Sequence, residues 1–103
     1  MTMLIYNVTT QVTWGIQEAW VQWMKEEHIA RVMSAGHFTH HRMVKLLEVD
    51  DADGPTFAIQ YFCSSPELYH QYVRNHAPRM RQESIEKWGD KFISFRSLME
   101  VVD

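Results

Sequence analysis

The sequence predicts an α+β fold in which strands and helices follow the order β-α-β-β-α-β. Four strand-like runs alternate with two amphipathic stretches along the 103 residues, which is the first observation that predicts this order. The second is a phrase that recurs in both helical stretches. Glu27–Met33 reads EHIARVM, and Asn75–Arg81 reads NHAPRMR. Each copy follows an aromatic-rich stretch, so we predict two similar halves.

The first half contains a strand, a long helix and a second strand. Met3–Val12 is rich in β-branched residues and contains neither Gly nor Pro, which favours a strand. Thr13 is a suitable N-cap for a helix over about Trp14–Met33. Gly36 ends the connection between this helix and the next strand, and that second strand is predicted over roughly His37–Val49.

The second half follows the plainest turn signal in the chain, Asp50–Pro55. A third strand is predicted over Thr56–Cys63. Ser65–Glu67 then supplies an N-cap, a proline at the first helical position and an acidic first turn. The second helix should break near Pro78, because proline removes a backbone hydrogen bond. The last strand is predicted over Lys91–Val102.

This order is the ferredoxin-like split βαβ arrangement, in which right-handed crossovers place both helices on one face of a four-stranded antiparallel sheet. A solvated face of a sheet should consist of polar residues, but neither set of alternate residues in the strands is cleanly polar. We take the odd-numbered residues of the last strand as core. The other face of the sheet would then still offer five apolar side chains: Met3, Ile5, Phe62, Phe92 and Leu98. A large apolar patch usually marks an interface, so we expect a homodimer closed sheet to sheet.

Composition excludes several functional classes. A single domain over residues 1–103 with 46% hydrophobic residues can form a core. A net charge of −3 without a basic stripe disfavours nucleic-acid binding. Neither an export signal nor a membrane span is visible, so we expect a cytoplasmic protein with no membrane partner. The only cysteine, Cys63, excludes an internal disulfide and fits a reducing compartment. The motifs of ordinary hydrolases, kinases and dinucleotide enzymes do not occur.

Glu27 most invites a functional interpretation. At about 100° per residue it lies within the apolar stripe of the first helix. A carboxylate buried there must be paired or hydrogen-bonded, and the candidate partners are Arg42, Arg79 and Arg96. A structural ion pair is the main interpretation. The alternatives are a pocket carboxylate that acts as a base or ligand anchor, and a frayed helix that leaves Glu27 in water.

Histidines provide further candidates. His28 and His76 occupy equivalent places in the repeated phrase, near a predicted helix end where an imidazolium interacts favourably with the helix dipole. The alternative is proton transfer at the boundary between helix and sheet. His37, His40 and His41 do not predict a metal site, because strand residues alternate between faces and three ligands would not converge. We expect these three to be solvent-exposed strand residues and expect no metal.

Polar strand residues form a second candidate site. If the strand register brings them together, four side chains make a polar cluster on the predicted dimer face: Asn7, Gln60, Ser94 and Arg96. Buried polar groups need partners, so this cluster is either an interfacial hydrogen-bond network or a ligand cavity at the dimer seam. Trp23 and Arg42 are added to the candidates for ligand binding, although the tryptophans as a group are expected in the core.

Several short motifs taken together resemble one family of bacterial proteins. They are Tyr6-Asn7-Val8-Thr9, Trp23-Met24-Lys25-Glu26-Glu27-His28-Ile29, Gly36-His37-Phe38, Gln60-Tyr61, Asn75-His76-Ala77-Pro78 and Lys91-Phe92-Ile93-Ser94-Phe95-Arg96. The chain resembles the uncharacterised DUF4286 family over nearly its whole length. That family carries no established activity, so the resemblance implies the fold and leaves the function open. Ala30 stands where the resemblance implies proline, and the helix is therefore expected to run further.

The arrangement is also similar to the dimeric α/β-barrel superfamily. That group includes cofactor-independent monooxygenases, haem-degrading monooxygenases and small isomerases. The resemblance implies that a haem site would use an Asn of the first strand, a helix Trp and a helix His. Asn7 and His76 match two of these, but Tyr69 and Tyr72 stand in place of the tryptophan. We therefore expect no haem and no other cofactor.

Three functions remain open at this point, and the sequence does not decide whether the protein is an enzyme. One is a non-catalytic homodimer that binds a small apolar or aromatic ligand in a helix–sheet or dimer-seam cavity. Another is a cofactor-independent monooxygenase or isomerase, with Glu27, His28 or His76 transferring protons and Arg96 holding an anionic oxygen. The third is a protein-interaction module. A closed core favours the first and third, whereas a roomy cavity lined by tryptophan and histidine favours the second.

Overall fold

Two layers make up the protein. In the computed structural model, which describes residues 2–103, the helices cover one face of a four-stranded antiparallel sheet. The strands are β1, Leu4–Val12; β2, His40–Lys45; β3, Thr56–Cys63; and β4, Phe92–Glu100. The sheet order is β2-β3-β1-β4, and each neighbouring pair is antiparallel. The predicted ferredoxin-like order is confirmed.

The first helical region changes its geometry along its length. It begins as a 3-10 turn over Trp14–Ile16 and continues as helix α1, Gln17–Trp23. It then widens into a π-helical turn over Met24–His28 and returns to α-helical geometry in α2, Ile29–Ser34. A π turn accommodates one more residue than an α turn. The side chains that follow it are therefore rotated relative to a regular helix.

The second helical region is divided where the proline predicts it. Helix α3 runs over Pro66–Asn75 and α4 over Ala77–Trp88. Ser65 is confirmed as the N-cap, because its hydroxyl accepts hydrogen bonds from two backbone N–H groups of the first turn. His76 separates the helices with a non-helical φ of −127°, at a ψ of −36°, and Pro78 lies in the first turn of α4. No helix within residues 2–103 combines the length and hydrophobicity that a membrane span requires.

Strand β2 is shorter than the sequence predicts. It covers His40–Lys45 rather than His37–Val49, and His37 lies in the loop before it. The pairing ends one residue later with a hydrogen bond from the Leu46 N–H to the Thr56 carbonyl, at 2.9 Å. Glu48 then adopts a positive φ of 57°, which is incompatible with extended backbone. The loop that follows is mostly exposed.

The register of β4 corrects the predicted faces of the sheet. The even-numbered residues of β1 face the helices, and Tyr6 is paired with Leu98. Residues that are paired across strands lie on the same face. Phe92 and Leu98 therefore lie on the helix side. The open face is the side of the sheet turned away from the helices, and the prediction that these two residues lie there is wrong. Ile93 and Phe95 occupy the open face instead and are 71% and 60% exposed.

The core lies between the helices and the sheet. The molecule measures 41 × 30 × 19 Å, and its shortest dimension fits one sheet covered by one layer of helices. The largest buried side chains are aromatic, as the sequence predicts. They include Tyr6, Trp20, Trp23, Phe57, Tyr61 and Tyr72. Trp14, however, is 48% exposed, so the expectation that the tryptophans as a group lie in the core is wrong for this residue. Only one face of the sheet is covered within the protomer.

Candidate ligand cavity between helices and sheet

A cavity of about 300 Å³ lies between the helices and the sheet. Its floor is the helix-facing side of β1, β3 and β4, and its walls come from α1, the π turn, α2, α3 and α4. The lining residues are Tyr6, Val8, Thr10, Trp20, Met24, His28, Val32, Ile59, Tyr61, Tyr72, Ala77, Met80, Arg81, Ser84, Ile85, Gly89, Phe92, Ser94 and Arg96. The exposed members of this set lie on β4 and at α4, so the cavity opens between these two elements.

Tyrosine rings line the inner part of the cavity. Tyr6 is 4% exposed, and its ring centroid lies 6.1 Å from that of Tyr61 and 5.7 Å from that of Tyr72. Burial raises the pKa of all three hydroxyls, so they are protonated at neutral pH. The inner part therefore presents aromatic surface and neutral hydroxyl groups.

Two arginines give the cavity a polar mouth, which we define as Arg81, Ser94 and Arg96. The Arg96 Nε donates a hydrogen bond to the Tyr6 hydroxyl at 2.6 Å. Burial raises the pKa of Tyr6, and the positive charges of Arg96 and, more weakly, Arg81 oppose that rise. The positive charges of both guanidinium groups therefore act on the Tyr6 hydroxyl. The Ser94 hydroxyl lies 2.9 Å from that of Thr10, which links β4 to β1 a second time.

His28 belongs to the cavity wall because of the π turn. It is 9% exposed and its ring lies 4.8 Å from the ring of Trp23, at an angle of 30°. Its Nδ1 is buried and has no hydrogen-bond partner among residues 2–103. Burial, followed by the charge of Arg31, lowers the pKa of His28 to about 4. The imidazole is therefore neutral at physiological pH, and its Nε2 can accept or donate one hydrogen bond, depending on its tautomer.

Glu27 lies at the surface, so its predicted burial in the apolar stripe is wrong. The extra residue of the π turn moves His28 into the place on the stripe that α-helical periodicity assigns to Glu27. The Glu27 side chain is 55% exposed, and its Oε1 lies 3.7 Å from the Arg31 Nη1, one turn along the helix. The three arginines predicted as its partners form no ion pair with it in the described chain. The carboxylate of Glu27 is therefore stabilised by solvent and by the exposed ion pair with Arg31.

The two repeated histidines are not equivalent in the structure. His28 lies inside a helical region that continues to Ser34, so the predicted interaction with a helix end does not apply to it. His76 lies at the break between α3 and α4, half-buried and outside the cavity wall. Its ring lies 5.0 Å from that of His37 and 5.9 Å from that of Tyr72. Burial, followed by the nearby His76, lowers the pKa of His37.

The predicted polar cluster is divided between the two faces of the sheet. Ser94 and Arg96 line the cavity, whereas Asn7 and Gln60 lie on the open face and are paired across β1 and β3. The cross-strand pairs on that face place four polar residues in one line, which we call the polar row: Arg42, Gln60, Asn7 and Ser97. Asn7 is 7% exposed, and its Oδ1 has no partner among residues 2–103.

These positions do not fit a haem site. Asn7 lies on the open face of the sheet, while His76 lies on the helix side, so the two residues of the haem pattern do not meet. Of the other histidines, His40 and His41 are exposed on β2, and His37 is a half-buried loop residue rather than an exposed strand residue. Residues 2–103 contain no group of three or more His, Cys, Asp or Glu side chains arranged to hold a metal ion.

The sequence predicts some of the residues that line the cavity and not others. Trp23 packs behind His28 in the core and does not line the cavity, whereas Trp20 does. Tyr6 and Arg81 were missed as cavity residues. The alternation of β1 marks Tyr6 as a possible core position, and Arg81 is the last residue of the second repeated phrase. Neither signal indicates that the two side chains line one cavity.

Comparison with known proteins agrees with this fold. Residues 3–102 match the family model described as Domain of unknown function (DUF4286), and no curated protein matches the chain. A dimeric ferredoxin-like protein from an uncultured marine organism has a TM-score of 0.69 at 9% identity, covering 100% of this chain and 98% of that one. An EthD-like protein from Ralstonia eutropha has a TM-score of 0.70 at 14% identity, with coverages of 100% and 95%.

SnoaB, a cofactor-independent oxygenase from Streptomyces nogalater, is also similar, with a TM-score of 0.69 at 8% identity and coverages of 100% and 96%. At such low identities these structures share the fold alone with this chain. The fold is ferredoxin-like. The family model covers nearly every residue, and the chain therefore belongs to the DUF4286 family.

Proposed function

We propose that this protein binds a small aromatic molecule in the cavity between the helices and the sheet. The observation that carries this proposal is the aromatic wall of an open cavity of about 300 Å³. Ligand sites in proteins are typically clefts of about 300–1,000 Å³, lined by apolar side chains with a few convergent polar groups. The volume lies at the lower end of that range, so a ligand of about one to three fused rings fits.

Thermal shift with two bicyclic probes, 2-naphthoate and 2-naphthamide, tests this proposal. At a hundredfold excess over its Kd, a ligand that binds only the folded state adds about 2.7 kcal/mol to the free energy of unfolding. We expect a saturable rise in Tm with at least one probe. Quenching of tryptophan fluorescence should accompany it, because Trp20 lines the cavity.

A variant that fills the cavity provides the control. Val8→Phe places a ring in the cavity floor and should remove probe binding, whereas Val73→Phe adds the same ring on the exposed side of α3 and should leave it unchanged. Ser84→Phe at the wall replaces Val8→Phe if the latter does not fold. Binding that survives both filling variants contradicts the proposed site. The absence of saturable binding by either probe would leave the interaction-module alternative.

A second candidate function is a cofactor-independent oxygenase, which requires the same ligand binding and which the cavity lined by Trp20 and His28 favours over a closed core. His28 supports it, because a neutral imidazole in a mostly apolar wall can take a proton from an enolisable aromatic substrate. Arg96 and the Tyr6 hydroxyl at the mouth could stabilise the oxyanion that forms. The substrate itself would then reduce molecular oxygen. The fold of the oxygenase SnoaB is consistent with such chemistry.

Oxygen uptake with anthrone, a readily enolised tricyclic ketone, tests this second candidate. General-base catalysis typically contributes about 10²–10⁴-fold to a rate, so His28→Gln should lower the rate by about a hundredfold or more. A wild-type rate equal to the rate in buffer would contradict this function. It would leave ligand binding as the proposed role.

We also propose that the protein is a homodimer joined through the open face of the sheet. Ile93 and Phe95 expose large apolar side chains there, and the protomer has no layer on that side. The exposed Arg42 of the polar row lies on the same face, where it can donate hydrogen bonds to a second copy. A solved structure with this fold is described as dimeric. Sedimentation as a monomer at micromolar concentration would contradict the proposal.

A further inference from the structure

We infer that the ligand of this cavity is an aromatic anion, whose negative group lies at the mouth beside Arg81 and Arg96. The inference rests on the proposed function and names the chemical class of its ligand. It follows from three properties of the mouth: the charges of the wall, the free donors of the arginines and the place of the charge relative to the rings.

The first property is the sign of the charges in the wall. Carboxylates outnumber cations in the chain, with 13 Asp and Glu against 10 Lys and Arg. Yet no Asp or Glu of the described residues lines the cavity, while two arginines do. An acidic protein with a positively charged cavity mouth attracts anions to that mouth and repels them elsewhere.

The second property is that these two arginines are not neutralised. Among residues 2–103 neither Arg81 nor Arg96 forms an ion pair, whereas Arg31, which lies outside the cavity, faces both Glu27 and Glu83. The bond to Tyr6 uses only the Nε–H of Arg96, and a guanidinium carries four further N–H donors. That bond also fixes the orientation of Arg96, which favours bidentate binding of a carboxylate.

The third property is the separation of charge from aromatic surface. Arg81 and Arg96 are exposed at the opening, whereas Trp20, Tyr61 and Tyr72 lie inside and are buried. His28 is neutral at the inner end, so no second cation competes for the anion there. A ligand with one acidic group on a flat ring system can place its rings inside and keep its charge at the partly solvated mouth. An anion held there avoids the desolvation penalty of full burial.

Titration of tryptophan fluorescence, to which Trp20 in the cavity contributes, with 2-naphthoate and with its neutral isostere 2-naphthamide tests the inference. A charge-assisted pair of hydrogen bonds should make 2-naphthoate bind about tenfold more tightly than 2-naphthamide. Raising the salt concentration tenfold should weaken only the binding of 2-naphthoate, because salt screens the exposed charges. Arg81→Gln should remove most of the preference and leave 2-naphthamide binding unchanged.

The variants separate a local role from a general change in charge. Arg79→Gln removes one positive charge from α4 at an exposed position outside the cavity wall, and it should keep the tenfold preference. Arg96→Gln should also remove the preference. If loss of the hydrogen bond to Tyr6 unfolds Arg96→Gln, Arg81→Gln alone still tests the inference. Equal affinities for the two probes overturn the inference while the proposed function stands. A preference that survives in Arg81→Gln and Arg96→Gln overturns it too, and failure of both probes to bind removes the proposed function itself.

Discussion

The Nε of Arg96, on the outer strand β4, lies 2.6 Å from the hydroxyl of Tyr6, on the central strand β1. The contact joins residues at opposite ends of the sequence. It gives a buried phenol a charged partner, and it holds a guanidinium at the opening of the cavity. The bond therefore contributes to stability and shapes the candidate site.

A double-mutant cycle should detect this bond. Hydrogen bonds to charged groups contribute about 1.5–3 kcal/mol, and partial exposure of Arg96 lowers that figure, so we expect a coupling energy of about 1 kcal/mol between Tyr6→Phe and Arg96→Gln. Urea unfolding of both single variants and the double variant measures it. The neutral pair Thr10→Val and Ser94→Ala is the control and should show a smaller coupling. Additive effects of Tyr6→Phe and Arg96→Gln would contradict the prediction.

Stability should fall as the pH is lowered through the range in which free histidine titrates. The pKa of His28 is about 4 in the folded protein and about 6.5 in the unfolded chain. Between these values the unfolded chain binds more protons, so stability is complete above pH 6.5 and decreases towards pH 4. The loss amounts to as much as about 3 kcal/mol.

Urea unfolding at a series of pH values measures this dependence. His28→Gln should reduce the slope over that interval, because the variant has no group at this position to protonate, and the lowered pKa of His37 accounts for part of the slope that remains. His41→Gln, at an exposed position on β2, should keep the wild-type slope. Parallel curves for wild type and His28→Gln would show that another group causes the loss.

The π turn makes an unusual deletion tolerable. Removing Glu26, an exposed residue within Met24–His28, should convert the wide turn to α-helical geometry and leave Trp20 and Val32 buried. We expect the deleted protein to fold, with a far-UV circular dichroism spectrum like that of wild type. Deleting the exposed Gln71 from the regular helix α3 should instead rotate Tyr72 out of the core and lower Tm strongly. Equal loss of Tm in the two deletions would contradict this account.

Charges on the open face should prevent self-association. Ile93→Lys and Phe95→Lys each place an ammonium group within the exposed apolar surface, where burying it against a second copy is costly. Sedimentation should show a shift from dimer to monomer, with the circular dichroism spectrum unchanged. Leu47→Lys, in an exposed loop, is the matched control and should remain dimeric. Dimers that persist in both face variants would place the interface elsewhere.

The sequence predicts the order of elements well because local signals specify each of them. The hydroxyl of Ser65 caps α3, Pro78 breaks the second helical region, and the third strand has the predicted limits. Local signals cannot reveal an inserted residue in a helix. Regular periodicity therefore placed Glu27 on the buried stripe, where the structure places His28.

The faces of β4 were predicted wrongly for a different reason. Hydrophobicity alone favours burying the more apolar set of residues, but pairing with β1 decides which set meets the helices. The cavity mouth depends on the same pairing, because Tyr6 and Arg96 meet only across two strands. Contacts between distant segments are not encoded in the spacing of either one. For this reason the fold was predictable and the site was predicted only in part.

Strand β4 separates two properties of the protein along nine residues. Its even-numbered side chains border the cavity side, and its odd-numbered side chains border the open face. A substitution at an even-numbered position changes the cavity side and leaves the open face unchanged. A substitution at an odd-numbered position does the reverse. Relatives that share this strand can therefore differ in the ligand that fits between helices and sheet without differing in how the protomers associate. They can also differ in association without differing in the ligand. The alternation of a single edge strand makes these two traits independently variable.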